Sequence, residues 1–173
     1  YLTQPNVVTS MEFERLLSAS GPTAGHVTRQ SKDHGEPKKI AWFQCVGSRD
    51  QNKCENAYCS SVCCMYAIKE AVIAKEHAGD GLECTIFYMD MRTHGKEFER
   101  FYNSAKDKGV RFVRSRVHTI DPTPDESLNV RYVGDDGQAI TETFDLIVLS
   151  VGLQTNPAVV DLAKQLKVDL TAG

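Results

Sequence analysis

Five of the six cysteines fall between Cys45 and Lys75, in the run CVGSRDQNKCENAYCSSVCCMYAIKEAVIAK. Thiolates clustered this way are metal ligands in a reducing compartment more readily than disulfide partners. Cys63 and Cys64 are adjacent and poorly disposed to bridge each other. Six cysteines in 173 residues are also too sparse for a disulfide scaffold. A four-iron, four-sulfur (4Fe-4S) cluster needs four converging thiolates, with at least one pair close in sequence. Cys59 and Cys63 are four apart and can face one point at a helix entrance. Cys64 joins them only in the first helical turn, where free backbone N–H groups and the positive end of the helix dipole favour an anionic site. Cys45 can supply the fourth ligand across the loop. Zinc is the alternative metal, although its four-cysteine sites usually show paired C-x2-C knuckles, which this run lacks. Free structural or redox-active thiols are a third reading. Cys54 has no assigned place, and Cys84 reads as a small core residue.

The elements around this run should present it at a strand-to-helix junction. Lys39 to Val46 is almost continuously apolar, as in a central parallel strand. Ser61 to His77 has helical periodicity and is ended by Gly79 and Gly81. Cys84 to Met89 is a second buried strand. Lys96 to Lys108 is an amphipathic helix whose stripe is Phe98, Phe101, Tyr102 and Ala105, closed by Gly109. Val110 to Val117 reads as a strand. Leu128 to Val133 and Ala139 to Phe144 alternate around the turn signal Asp135-Asp136-Gly137. Leu146 to Val151 is a closing buried strand, and Asn156-Pro157 starts a helix with Val159, Val160, Ala163 and Leu166 on one face. Before all this, residues 1–38 read as a connector with a short helix behind a Thr9/Glu12 capping box. The order β-α-β-α-β, meander, β, α predicts an α/β fold: a dinucleotide-binding, Rossmann-like parallel sheet in which a β-meander replaces the last crossover.

Composition narrows the function. Hydrophobic residues make up 41% and charged residues 25%, with a net charge of -3. That is ordinary for a globular domain and lacks the basic footprint of nucleic-acid binding. No apolar run approaches the roughly 18–20 residues of a membrane helix, so a cytoplasmic location is expected. The chain opens on Tyr1, and a fragment of a longer polypeptide is expected. His26, His77, His94 and His118 share no motif. Lys96, Glu97, Glu99 and Arg100 read as a solvated helix face.

A working dinucleotide site would follow the first strand with G-x-G-x-x-G, so that the backbone can approach a pyrophosphate. Here the position reads Cys45-Val46-Gly47-Ser48-Arg49 and keeps one glycine. Asp90 stands where an acid would hold a ribose hydroxyl, and Arg92 where a 2′-phosphate would be met; without the glycines both are weak signals.

The segments FQCVGSRD and YCSSVCCMYAIKEAVIAKEH resemble the A-type subunits of heterodisulfide reductase. The likeness continues through YMDMRTHGKEFERFY and DLIVLSVGLQTNP, and includes PNVVTSMEFERLLSASGPTAGHV, so it covers essentially the whole chain. It implies a flavin-containing electron-transfer protein on a thioredoxin-reductase-like core, with Cys45, Cys59, Cys63 and Cys64 as cluster ligands. It further implies FAD in the intact protein, with Lys69, Gly152, Leu153 and Gln154 near the flavin. Residues 1–38 would lead from an FAD domain, 39–151 form the Rossmann-like domain with the cysteines, and 152–173 return towards the FAD domain.

The function implied is electron transfer between FAD and a 4Fe-4S cluster in an anaerobic, heterodisulfide-reductase-like complex, extending to flavin-based electron bifurcation. A cluster would then occupy the corner where nicotinamide binds in relatives of the fold. Implied partners are other subunits of the complex and ferredoxin or hydrogenase-type carriers; a homodimer is also open. Two alternatives stand beside this reading: an NAD(P)H-binding domain of an FAD-dependent pyridine nucleotide-disulfide oxidoreductase, and a zinc-stabilised structural module.

Overall fold

Alternation along the strands decides how the molecule is layered. In the computed structural model, which describes residues 1–79 and 81–171, strands β1 (Val7–Thr9), β2 (Lys39–Val46), β3 (Glu83–Tyr88), β4 (Arg111–Arg114) and β8 (Leu146–Val151) form one sheet in the order β1-β8-β2-β3-β4. Every pairing in it is parallel. Successive side chains of a strand point to opposite faces. Val8, Ile40, Trp42, Ile86, Leu146 and Val148 therefore meet the helices α1 (Ser10–Leu17), α3 (Cys63–Ala78) and α4 (Phe98–Asp107) on one face. Val7, Ala41, Phe43, Phe87 and Ile147 face the other way, towards an antiparallel sheet of β5 (Thr119–Pro122), β6 (Leu128–Val133) and β7 (Ala139–Phe144). Phe87 anchors that second core, with edge-on contacts to Phe43, Tyr132 and Phe144 at centroid distances of 5.6, 4.8 and 5.9 Å.

The expected α/β class and the parallel sheet with a meander are both present. Element ends differ for local reasons. The helix expected from Ser61 starts at Cys63, because Ser61 has φ +62°. The helix expected from Lys96 starts at Phe98, because Gly95 and Glu97 have φ +123° and +68°. The strand expected over Val110–Val117 is confined to Arg111–Arg114, and β5 starts only at Thr119, beyond the expected range.

Residues 1–38 do more than connect. The Thr9/Glu12 capping box forms, but it is preceded by β1, which pairs with β8 and extends the sheet by a strand. Phe13, Leu16 and Leu17 of α1 are buried against α3. At the far end α5 (Pro157–Gln165) begins at Asn156, whose side chain accepts from the Ala158 N–H, and it buries none of its residues. Of the segment 152–173, residues 172 and 173 lie outside the described residues.

All five strands of the main sheet point the same way, so the loops after β2, β3 and β8 gather at one edge. In open α/β sheets that edge, outside the carboxyl ends of the strands, is where ligands bind.

Candidate metal centre

The loop between β2 and α3 is wound by left-handed residues. Cys45, Arg49, Glu55 and Ser61 have φ of +62°, +54°, +54° and +62°, and Gly47 has +73°. Each non-glycine residue in this region costs about 1–2 kcal/mol, so surrounding contacts must hold them. The β2–β8 register shifts between Phe43 and Val46, which turns the chain at Cys45. A small antiparallel loop follows: Asp50 and Asn56 exchange backbone hydrogen bonds of 2.8 and 3.2 Å, and the Arg49 N–H donates to Tyr58 O at 3.0 Å. Cys54 closes the four-residue helix α2 (Gln51–Cys54) on this loop and is exposed.

Cys45, Cys59, Cys63 and Cys64 all line one small hollow, together with Ser48, Arg49, Ser60, Ser61, Asp90 and Arg92. The two remaining cysteines are elsewhere. Cys84 is 1% exposed and its thiol points at Ala71 O, 3.7 Å away, as a core residue. Cys54 does not line this hollow; it lines one cleft with Val46, Gly47 and Asn56 and another with Cys45. Cys63 and Cys64 are the first two residues of α3, whose Val62 N-cap makes no side-chain hydrogen bond to the free N–H groups of the first turn. The positive end of the dipole of this 16-residue helix therefore faces the hollow.

Several N–H donors and cations surround the sulfurs. The Ser61 N–H donates to Cys59 Sγ at 3.4 Å. The Arg92 backbone N–H points at the Cys64 sulfur, and the Arg49 guanidinium lies beside the Cys45 thiol. Burial pushes the Cys45 and Cys63 thiols up, with Arg49 pulling Cys45 part of the way back; burial pushes Cys64 up to about 11. Metal binding at this site must therefore displace protons from these thiols. Among the described residues, no three His, Cys, Asp or Glu side chains converge closely enough to hold a single metal ion. An all-thiol donor set around one hollow, bordered by N–H donors and guanidinium groups, is chemically suited to an iron–sulfur cluster.

Residues after β8 clamp the loop, and nothing in the sequence announced this. Ser48 and Ser60 share a hydrogen bond of 2.7 Å, and Ser60 Oγ accepts from the Leu153 N–H at 2.9 Å. Tyr58 donates its hydroxyl to Leu153 O at 2.8 Å, and the Gly152 N–H donates to Val46 O at 3.2 Å. Tyr66 donates to Val151 O, and the Cys63 thiol points at the same carbonyl. Gly152, Leu153 and Gln154 share a cleft with Val46, Gly47, Cys54 and Asn56. Lys69 sits in a different, largely apolar cleft with Val62, Met65, Tyr66, Phe98 and Phe101, and pairs with Glu14 at 2.7 Å. The four thiols expected at one site are thus brought together, whereas Lys69 and Gly152–Gln154 are on separate surfaces. Asp90 lies in the cysteine hollow with both carboxylate oxygens engaged by arginines.

No family model matches the chain. Among curated proteins it is 46% identical over 157 residues to an A-type iron-sulfur subunit of the CoB--CoM heterodisulfide reductase of Methanopyrus kandleri, covering 88% of this chain and 23% of that protein. It is 43% identical over 173 residues to the A-type subunit of the H(2)/formate:CoB-CoM heterodisulfide,ferredoxin reductase of Methanococcus maripaludis, covering 98% and 26%. The chain thus spans about a quarter of the length of these relatives. Among solved structures, L-lysine 6-monooxygenase from Pseudomonas syringae is similar with a TM-score of 0.55 at 11% identity, over 92% of this chain and 44% of that one; this shows a shared fold. With such identity along nearly its full length, the chain belongs to the family of heterodisulfide reductase A-type subunits, as the counterpart of one segment of those proteins.

Proposed function

We propose that this chain is the cluster-holding segment of a heterodisulfide-reductase-like oxidoreductase subunit, in which Cys45, Cys59, Cys63 and Cys64 hold a 4Fe-4S cluster. The observation that carries the reading is that these four of the six cysteines, and no others, line one hollow at the N-terminus of α3. The word iron-sulfur in the name of the Methanopyrus kandleri relative supports it. Such a cluster, when bound, supplies one-electron transfer, which lets a two-electron flavin exchange with one-electron carriers.

The protein's own contribution is to prepare the site. The left-handed backbone at Cys45 and Ser61 aims the loop inwards. Ser48, Tyr58 and Ser60 tie it to the end of β8. The first turn of α3 presents two thiols and a positive dipole end. FAD belongs, in this reading, to the intact protein, with residues 1–38 and 152–173 joining the two parts. The exposed apolar side chains Val159 and Leu162 on α5, with Leu166 at its C-cap, support a docking role for the second segment. Lys69 and Gly152–Gln154 are proposed to face the flavin from their two clefts. Bifurcation, and partners that include other complex subunits and ferredoxin or hydrogenase-type carriers, are the fuller form of the proposal. Among the described residues, no helix is long and apolar enough to cross a membrane.

Anaerobic reconstitution of the chain with ferrous iron and sulfide tests the ligand set. The expected product carries about four irons and four sulfides per chain, with the broad visible absorbance of an iron–sulfur thiolate site. Cys59→Ser and Cys63→Ser should each lose most of it. Retention of the full signal by these variants, or uptake of one zinc and no iron, would overturn the assignment.

A further inference from the structure

Asp90 lies two residues beyond the end of β3, at the position where a dinucleotide fold keeps its ribose-binding acid. Here that acid is otherwise occupied. The Arg49 guanidinium donates to Asp90 Oδ1, and Arg92 donates to Oδ2 from Nη2 at 3.2 Å and from Nε at 3.4 Å. Arg49 comes from the cysteine loop and Arg92 from the loop after β3, so one carboxylate joins the two loops across the hollow. Arg49, Asp90 and Arg92 are the charged side chains that line it beside the four cysteines. Their sum is one net positive charge. Both arginines reach sulfur as well as Asp90: Arg49 lies by Cys45, and the Arg92 side chain lies by Cys59.

We propose that Asp90 is a positioning residue that holds the guanidinium groups of Arg49 and Arg92 against the cysteine hollow, where their charge and N–H donors favour the reduced, more negative state of the cluster bound there. Net charge and hydrogen bonds to the sulfurs are the main levers a protein has on such a potential. The side chains of Arg49, Asp90 and Arg92 are 23%, 44% and 36% exposed, so the carboxylate and guanidinium groups are not free to act at full Coulomb strength. Without Asp90, two long cationic side chains at a partly open rim would move towards water.

This inference rests on the cluster-holding reading above. The test is an EPR-monitored dithionite titration of the reconstituted chain and its variants. Arg49→Gln and Arg92→Gln should each lower the midpoint by about the equivalent of a tenfold change in equilibrium, ~59 mV for a one-electron couple. Arg92→Lys, which keeps the charge, should stay closer to the parent. Asp90→Asn separates positioning from simple charge. Removing a negative charge alone would raise the midpoint, whereas release of two cations lowers it, and lowering is expected. A parental midpoint in both arginine variants, or a rise or no change in Asp90→Asn, would overturn the proposal. So would loss of the cluster in Arg92→Gln and Arg92→Lys alike, since that pattern makes Arg92 a wall of the pocket. If the parent chain takes up no iron and sulfide, the cluster-holding reading fails and this one with it; a loaded parent with unmoved variants sinks this one alone.

Discussion

Gly152 is pressed against Ser48: a Cβ at position 152 would stand 2.1 Å from Ser48 Oγ and 2.4 Å from Ser60 Oγ. Ser48 is 2% exposed and is already hydrogen-bonded to Ser60, so neither hydroxyl can swing aside without breaking a bond. The end of β8 and the cysteine loop are therefore one packed unit, and the glycine is what lets them meet.

Gly152→Ala should accordingly disturb the loop from behind. Overpacking of this kind costs about 1–3 kcal/mol, and a fall in Tm of roughly 2–4 °C per kcal/mol is expected at this chain length. Iron uptake on reconstitution should fall in parallel. Gly81→Ala is the control, because a Cβ there meets nothing within 4 Å; it should stay within about 0.5 kcal/mol of the parent. Equal melting temperatures and equal iron content in the two variants would show that the loop does not depend on this contact.

The six cysteines should separate into two groups by iron content. Serine at Cys45, Cys59, Cys63 or Cys64 removes a lining thiol of the hollow, whereas Cys54→Ser and Cys84→Ala leave it whole. Cys54 is exposed, and its replacement should be neutral within about 0.5 kcal/mol. Cys84 is buried, so its truncation should cost about 1 kcal/mol while iron per chain stays at the parental value. Iron loss in Cys54→Ser would instead place that thiol at the metal.

Much of this was legible in the sequence because it depends on local signals. Continuous apolar strands, the 3.6-residue stripes of α3 and α4, the Thr9/Glu12 cap and the Asp135-Asp136-Gly137 turn all carry their information within a few residues. The four thiols shared a spacing that only a helix entrance could reconcile. What escaped notice depends on distant partners. β1 is three residues long and becomes a strand only by pairing with β8, some 140 positions later. Gly152 read as a flavin approach; that a Cβ there would also meet two serines of the cysteine loop is evident only from the fold. Asp90 carried a ribose signal from its place after β3, but its partners Arg49 and Arg92 become evident only once two loops meet.

Asn6 shows the same limit and gives a sharp stability test. Its side chain is fully buried and uses all of its hydrogen-bonding capacity: Oδ1 accepts from the Gln30 and Ser31 N–H groups at 2.8 and 3.0 Å, and Nδ2 donates to Ser31 Oγ at 3.0 Å and Glu126 O at 2.9 Å. It ties the edge of the main sheet to a loop and to the β5–β6 turn. Asn6→Ala would strand several buried polar groups, each at about 1–3 kcal/mol. A loss of at least ~2 kcal/mol in urea unfolding is expected, and a value within ~0.5 kcal/mol would mean that water or local rearrangement satisfies the freed groups.

Glu70 predicts how stability should change with pH. It lies in α3, 1% exposed, and accepts from Trp42 Nε1 at 2.9 Å. Trp42 is itself fully buried, with Phe13 edge-on at 5.4 Å. Burial pushes the Glu70 carboxyl up to about 8; the Trp42 hydrogen bond pulls it down, Glu14 adds to the rise, and Lys69 opposes it. In the unfolded chain the same group titrates near ~4.3. The native state therefore binds the proton more tightly, so the slope of unfolding free energy with pH is negative between these two values. The stabilisation is complete below ~4.3 and is lost as pH rises through about 8. Glu70→Gln cannot titrate and still offers Trp42 a carbonyl oxygen. Urea unfolding of the metal-free chain should show Glu70→Gln more stable than the parent by ~1–4 kcal/mol at pH 9, from a shift worth about 1.4 kcal/mol per pKa unit at full strength. At pH 5 the difference should vanish or reverse, because the added amide N–H groups need partners in a buried place. Parallel pH profiles for the two proteins would show that Glu70 is ionised, and solvated, in the folded state throughout this range.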